Sequence, residues 1–134
     1  MLFNQSKFIL TIGLLSLCLA FDVIADDQKR DAYFEGFVAA ERGEYDSAVR
    51  HWGPLASQGH AEAQFNIALM YHSGSGVPID EQEAIKWYQK SAENGYHKAQ
   101  EYLAAGYAHG WFGLNADPEK AVYWEMKALE SLLD

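Results

Sequence analysis

Five histidines are the side chains of this sequence with the clearest capacity for chemistry, because imidazole nitrogens bind metal ions and transfer protons near neutral pH. No two of them stand in the H-x-x-x-H spacing that places a pair of metal ligands on one face of a helix, or in another known ligand spacing. We therefore predict no metal site and no cofactor. The histidines are His51, His60, His72, His97 and His109.

Paired carboxylates and serines could in principle support acid–base or nucleophilic catalysis. The pairs Glu81 with Glu83 and Asp117 with Glu119 fall in the first turns of predicted helices, where the helix dipole stabilises negative charge. The stretch Ser73–Gly76 follows no predicted strand, has no G-x-S-x-G elbow, and lacks the lysine of a phosphate-binding loop. The sequence therefore predicts no catalytic or cofactor-binding residues, and we expect no enzymatic activity.

Trp111 and Phe112 are candidates of a different kind. They are adjacent large apolar residues in a predicted loop between Gly110 and Gly113. Such a pair in a loop often marks a contact with another protein, so we predict both as protein-binding residues. An equally weighted alternative is that one of them covers the open end of a repeat array.

The elements that carry these candidates come from an internal repeat. The stretch Gly59–Asp80 returns, changed but recognisable, as Gly95–Asp117. The alanines Ala48, Ala84 and Ala121 recur at intervals of 36 and 37 residues, as expected where helices joined by short turns pack closely. The matching positions are Gly59 with Gly95, Ala63-Gln64 with Ala99-Gln100, Tyr71 with Tyr107, Gly74 with Gly110, and Asp80 with Asp117.

Apolar residues at helical spacing, with glycines at turn positions, predict six helices and no strand. Asp80 and Asp117 are expected N-caps, with Pro118 at the first helical position after the second of them. Pro54 is expected to kink the second helix or to break it near Trp52–Gly53. The predicted helices cover about residues 31–42, 45–58, 61–73, 81–94, 97–109 and 118–133, in units of about 45–80 and 81–117 followed by the final helix.

The same spacing predicts which side chains form the core. On the third helix, Phe65, Ala68 and Leu69 are expected to face inward. Core packing is also the favoured role of the recurring aromatic residues Trp52, Trp87, Tyr88 and Trp124, and the last helix is expected to bury Val122, Ala128, Leu129 and Leu132.

The N-terminal residues have the pattern of an export signal. Lys7 precedes the apolar run Phe8–Leu19, which has about the length of the apolar segment of a signal peptide. Val23–Ala25 places small residues at the positions that a signal peptidase reads. We predict a signal peptide at residues 1–25 with cleavage before Asp26, and an uncleaved membrane anchor is the alternative.

The remaining domain covers residues 26–134, and 26–31 are expected to form a frayed lead-in. Its composition excludes some classes of function. The only cysteine, Cys18, lies in the predicted signal, so no disulfide is expected. The formal net charge of −9 argues against nucleic-acid binding, which needs lysine and arginine for phosphate contacts. We expect an exported protein, periplasmic or secreted.

Two halves of a longer pattern recur in register. They are carried by Ala84, Trp87-Tyr88, Ser91-Ala92, Gly95 and Ala99-Gln100, and by Ala63-Gln64, Leu69, Tyr71, Gly74–Val77 and Asp80. From about Tyr33 to Leu133 the chain resembles the Sel1-like repeat family, relatives of the tetratricopeptide repeats with slightly longer units. The resemblance implies an all-α fold, an α–α superhelix (solenoid) of about two and a half repeats, whose surface binds other proteins.

The resemblance also guides the functional prediction. Exported members of the family act as adaptors, regulators of envelope systems or host-facing factors. We therefore predict a non-enzymatic protein–protein interaction module of the cell envelope, a monomer that binds a protein or peptide partner. One alternative is a cell-wall or β-lactam-directed hydrolase, suggested by cysteine-rich relatives whose cysteines this chain lacks. The other is a structural subunit of an envelope complex.

Overall fold

The computed structural model describes the backbone of residues 5–133 and the side chains of residues 22–133. All regular secondary structure in this part of the chain is helical, which confirms the predicted all-α class. The chain divides into two compact units, with the boundary between Ala32 and Tyr33. The helices are α1 (Gln5–Glu41), α2 (Tyr45–Ser57), α3 (Ala61–Ser73), α4 (Glu81–Glu93), α5 (His97–His109) and α6 (Pro118–Glu130).

Helix α1 begins far earlier than the predicted start near residue 31. The expected frayed lead-in at 26–31 is helical, because no glycine or proline interrupts residues 14–35 and because Arg30 pairs with Asp26 and Asp27 one turn before it. Among the described residues, no helix combines the length and the hydropathy that a membrane span needs. The side chains of most of the predicted signal peptide lie outside the described residues, and its cleavage stays a prediction.

A close contact joins the last turns of α1 to α2. The indole N–H of Trp52 donates to the Tyr33 carbonyl over 3.0 Å, and the Trp52 side chain is buried. Gly36 makes this approach possible, because a Cβ at that position would overlap the indole ring. Trp52 therefore has the core role that the sequence predicts, and the residue against which its indole packs is Gly36.

Two helix pairs, α3 with α4 and α5 with α6, make the most extensive contacts of the second unit. The recurring alanines lie where the helices approach most closely, and Ala48 and Ala84 are buried as predicted. Ala121, the third of the series, is only half-buried. The close packing predicted from the period is therefore present in α2 and α4 and is incomplete in α6.

Aspartates cap α4 and α6 as predicted. The Asp80 carboxylate accepts from the N–H of Glu83 over 2.9 Å, and the Asp117 carboxylate accepts from the N–H of Lys120 over 3.1 Å. The second of these bonds lowers the pKa of Asp117 below its usual range. Pro118 occupies the start of α6, where its missing N–H costs nothing.

The backbone N–H of each capping aspartate ties two helices of the array together. The Asp80 N–H donates to the Tyr71 carbonyl over 3.0 Å, and the Asp117 N–H donates to the Tyr107 carbonyl over 2.8 Å. Glu83 stands three residues after Asp80, the spacing of a capping box, in which its side chain would bond the Asp80 N–H. The Tyr71 carbonyl of α3 already occupies that donor, and the Glu83 carboxylate accepts from Lys86 instead.

Helix α2 continues through Pro54, so the predicted break near Trp52–Gly53 does not occur. Proline removes one donor, but its own carbonyl still accepts from the Gln58 N–H over 3.2 Å. The Ser57 hydroxyl donates to the Gly53 carbonyl over 3.0 Å. Leu55 is buried, so tertiary packing holds the last turn of the helix in place.

Several apolar side chains are more exposed than their helical spacing predicts. Leu69 of α3 is 37% exposed, so the prediction that it faces inward is wrong. On α6, Trp124 and Ala128 are buried, whereas Val122 and Leu129 are exposed by 54% and 59%, and Leu132, just after the helix, is exposed by 65%. Helical spacing identifies an apolar face, but burial of that face also needs a neighbouring helix, and none of the described helices covers this side of α6.

Two glutamines at equivalent positions bond back to the preceding helix. The Gln64 amide donates to the Ala56 carbonyl over 2.9 Å, and the Gln100 amide donates to the Ala92 carbonyl over 3.1 Å. The Gln64 side-chain oxygen in turn accepts from Asn94 over 2.9 Å. The equivalent oxygen of Gln100 is buried and has no partner among the described residues. The last unit therefore lacks one link that the preceding unit has.

His60, one of the five histidines, has a structural role. It is the N-cap of α3, where its Nδ1 accepts from the N–H of Ala63 over 3.2 Å. Its ring also stacks on Tyr33, with 5.1 Å between the ring centroids. An imidazole acceptor thus replaces the usual aspartate or serine at this helix start.

Replacing His60 by alanine is expected to lower the free energy of unfolding by about 1 kcal/mol, because the cap is lost. His60→Asn restores an acceptor at the cap and is expected to recover most of that loss. Urea unfolding followed by circular dichroism measures both variants, with His51→Ala as a control histidine outside any cap. Equal losses for the alanine and asparagine variants would show that the stacking on Tyr33, and not the cap, carries the effect.

Candidate protein-binding turn

The two residues predicted to bind a partner lie in a tight turn between α5 and α6. The Trp111 N–H donates to the Gly106 carbonyl over 3.0 Å, and the Leu114 N–H donates to the Trp111 carbonyl over 3.0 Å. Phe112, at the tip, is the only non-glycine residue with a positive φ in the described part of the chain, at 59°. A bulky residue in this region is strained, so tertiary contacts must hold it there.

Trp111 is presented to solvent, with 52% of its surface exposed. Its indole stacks on the His109 imidazole, with 4.3 Å between centroids and 27° between ring planes. This contact limits the orientations of the indole without burying it. A large, ordered and exposed aromatic side chain is the kind of residue that contributes most to binding at protein interfaces.

Phe112 turns the other way and is half-buried. Its ring stacks on Tyr102 with 3.9 Å between centroids and 22° between planes, and Tyr102 stacks in turn on Tyr88 at 4.2 Å. His72 meets the Phe112 ring edge-on at 5.8 Å. The two neighbours in sequence therefore separate in space, since Phe112 ends an aromatic stack that runs into the core while Trp111 faces outward.

The inner end of this stack is buried. Tyr88 is 1% exposed, and its hydroxyl has no hydrogen-bond partner among the described residues. Burial raises the pKa of Tyr88 far above its usual range, and burial also raises the pKa of Tyr102. The stack is therefore a hydrophobic support for the turn and has no feature of an acid–base site.

Sequence reasoning found the turn but not the side chains that support it. Tyr102 lies on α5 one helical turn before Gly106, and a Cβ on Gly106 would press against Leu114 and Phe112. The only available signal was the position of this glycine inside a helix, which often marks a close approach. Within the residues whose side chains are described, no three potential metal ligands converge.

The geometry defines a class of protein. Helix pairs that recur every 36 or 37 residues, each tied to the next by equivalent caps and glutamines, form an α–α superhelix of the tetratricopeptide-like kind. The Sel1 repeat model matches residues 61–96 and 97–124, so this part of the chain consists of Sel1 repeats. The matched units begin at α3 and α5, one helix later than the units set out above, and both divisions describe the same helices.

Known proteins with similar sequences include regulators and binding proteins. The exopolysaccharide production negative regulator of Rhizobium leguminosarum bv. viciae is 31% identical over 116 residues, which cover 76% of this chain and 43% of the regulator. The DAP3-binding cell death enhancer 1 of Rattus norvegicus is 38% identical over 76 residues, which cover 52% of this chain and 15% of that protein. The chain thus spans less than half the length of these relatives.

A solved structure shares the architecture. The Sel1 repeat protein from Oxalobacter formigenes superposes with a TM-score of 0.68 and is 33% identical, over 75% of this chain and 41% of that protein. The agreement over three quarters of the chain supports the helix order and packing described above. Protein–protein interaction is the function that the repeat class and these relatives support.

Proposed function

We propose that this chain is a non-enzymatic interaction module of the cell envelope, a monomer that binds a protein or peptide partner on the superhelix surface. Trp111 is the central contact residue. The observation that carries the proposal is the exposed Trp111 indole, whose orientations are limited by stacking on His109 and by a turn anchored through the Phe112 stack. Pre-ordering of a contact residue lowers the entropic cost of binding.

Two further lines support the proposal. The names of the relatives describe a regulator and a binding protein, and both roles depend on recognition of another molecule. The apolar run Phe8–Leu19 with Lys7 before it supports export, and an exported chain meets its partner in the periplasm or outside the cell. The net charge of −9 favours a partner whose contact surface is basic.

The test is a crosslinking pull-down from fractionated cell envelopes with the full 134-residue chain, tagged after Asp134, as bait. We expect one protein to be enriched and the bait to be recovered from the periplasmic fraction with Asp26 as its first residue. Trp111→Ala is expected to weaken capture by roughly 30-fold or more, because a central tryptophan typically contributes about 2 kcal/mol or more to an interface. Phe34→Ala, an exposed aromatic elsewhere, is the matched control.

The two aromatic residues of the turn should behave differently in this assay. Trp111→Ala is expected to keep the thermal midpoint of the wild type, whereas Phe112→Ala removes the end of the stack and lowers that midpoint. Capture that is unaffected by Trp111→Ala would place the contact surface elsewhere. Failure of well-folded wild-type bait to enrich any protein would overturn the interaction module itself.

A further inference from the structure

Helices α5 and α6 form the walls of an open groove of about 400 Å³. Its lining combines alanines from both helices with Leu129 of α6 and Leu132, two residues beyond the end of that helix. Two carboxylates, Glu101 of α5 and Glu125 of α6, also lie along it. The Glu101 carboxylate lies 3.3 Å from Nε2 of His97. The groove is thus largely apolar, with negative charge on both walls.

The repeat identifies the equivalent groove one unit earlier, between α3 and α4. Matching positions are 36 residues apart from α3 to α5 and 37 residues apart from α4 to α6. Phe65 therefore corresponds to Glu101, and Tyr88 corresponds to Glu125. What fills the earlier groove shows what kind of group the later groove is shaped to hold.

Aromatic side chains from the next helix fill the earlier groove. Tyr102 of α5 stacks on Tyr88 at 4.2 Å and meets Phe65 edge-on at 6.2 Å. Tyr96, the residue before α5, also meets Phe65 edge-on, with 5.3 Å between the ring centroids. The groove between paired helices is therefore a helix acceptor in this protein, and its occupant inserts bulky side chains.

The exposure of equivalent residues shows that the later groove has no such occupant among the described residues. Ala92 of α4 is 1% exposed. Its counterpart on α6, Leu129, is 59% exposed and lines the later groove together with Leu132, which is 65% exposed. A position that is buried in the earlier unit therefore carries a solvent-facing apolar side chain in the last unit. Covering Leu129 and Leu132 with another helix is energetically favourable.

The two carboxylates of the groove favour one of three possible occupants: an apolar helix, a second copy of this chain, or a basic helix. Glu101 and Glu125 stand where the interior unit has aromatic rings, so a helix that inserts only apolar groups would desolvate two carboxylates. A second copy of this chain, with a net charge of −9, would bring its own glutamates to a self-complementary interface. A helix with lysine or arginine neutralises both carboxylates, while its aliphatic stems pack on the alanines.

We propose that the α5–α6 groove binds a basic amphipathic helix of a partner protein. The apolar stripe of that helix covers Leu129 and Leu132, and its lysine or arginine side chains pair with Glu101 and Glu125. This site is separate from the Trp111 turn but rests on the proposed interaction function. The partner helix takes the place that α5 has on the preceding pair.

The experiment measures binding of designed helices to protein expressed from the full 134-residue chain. The probe is a fluorescent peptide of roughly five helical turns, stapled on its outer face, with a leucine stripe flanked by lysines. A matched peptide carries glutamate in place of each lysine. The protein variants are the charge reversal Glu101→Lys with Glu125→Lys, the apolar truncation Leu129→Ser, and the control reversal Glu35→Lys with Glu41→Lys on exposed positions of α1.

We expect the lysine peptide to bind the wild type and the control variant at least tenfold more tightly than the glutamate peptide. The Glu101/Glu125 reversal should invert that preference, and Leu129→Ser should weaken both peptides. Equal affinity for the two peptides, or the same preference in the reversed variant, would overturn the proposal. Dimerisation of the wild type that Leu129→Ser abolishes would also overturn it in favour of a second copy.

The envelope pull-down separates this proposal from the interaction function on which it rests. A partner that the Glu101/Glu125 reversal still captures shows that the groove assignment is wrong while the interaction function stands. A partner that is lost with this reversal and kept by the α1 control supports the groove. Absence of any captured protein with the wild type counts against both.

Discussion

Tyr88→Ala is expected to lower the free energy of unfolding by about 3–5 kcal/mol, the range for truncating a buried aromatic side chain. Tyr88 is 1% exposed, stacks on Tyr102, and meets Phe65 edge-on at 5.4 Å, so its removal opens a cavity where three helices meet. Such a loss is a large part of the stability of a small domain. Guanidinium unfolding followed by circular dichroism measures it.

The matched variant Tyr88→Phe separates the ring from its hydroxyl. The hydroxyl is buried without a partner among the described residues, so its removal is expected to leave stability unchanged or to raise it slightly. The same pair of substitutions at Tyr123, which is 53% exposed, controls for the change in side chain. A loss above about 1 kcal/mol for Tyr88→Phe would show that the hydroxyl makes a hydrogen bond in solution.

Alkaline pH is expected to destabilise the protein through the same residue. Burial raises the pKa of Tyr88 in the folded state, whereas in the unfolded chain the phenol ionises near pH 10. Below about pH 10 both states are neutral and the full stability is present. Above it only the unfolded state ionises, so Tyr88 alone removes about 1.4 kcal/mol of stability per pH unit.

Denaturant midpoints between pH 8 and pH 11 test this expectation when wild type and Tyr88→Phe are compared. Burial also raises the pKa of Tyr33, Tyr96 and Tyr102, so both proteins should lose stability above pH 10. The wild type should lose it more steeply, because Tyr88→Phe removes one of the four contributions. Parallel slopes for the two proteins would mean that Tyr88 reaches solvent in the folded state.

Local signals were enough to place most of the helices. The predicted ranges 61–73 and 97–109 coincide with α3 and α5, because glycines and caps at both ends act through short-range backbone preferences. Asp80 and Asp117 were recognised for the same reason. The Sel1 repeat pattern then supplied the order and packing of these helices, which the similar solved structure supports.

Burial was predicted less well because it depends on neighbours that local spacing does not reveal. Leu69 and Leu129 both lie on apolar stripes, yet both are exposed. The continuity of α2 through Pro54 depends on the burial of Leu55 against the rest of the unit. Local sequence correctly indicates an apolar stripe or a helix-breaking proline, but contacts with the rest of the fold decide whether a side chain is buried and whether the helix continues.

The turn that carries the candidate residues was predicted in its position but not in its organisation. Trp111 and Phe112 were predicted as two contact residues, with the equally weighted alternative that one of them covers the end of the array, and the structure exposes Trp111 and stacks Phe112. That separation follows from the positive φ of Phe112, an unusual conformation for a bulky residue that no local motif announces. The supporting residue Tyr102 is distant from Tyr88 in sequence, so its role emerges only from the fold.

Gln64 and Gln100 differ in their hydrogen bonding, and this difference predicts which helix pair of the array opens first. In a linear array each unit is stabilised by its neighbours, so the free energy of local opening depends on the links at each boundary. The oxygen of Gln64 is bonded to Asn94, whereas that of Gln100 has no partner among the described residues. The pair α5–α6 is therefore expected to open before the pair α3–α4, and a ligand that completes it would tighten the whole array, coupling recognition to rigidity.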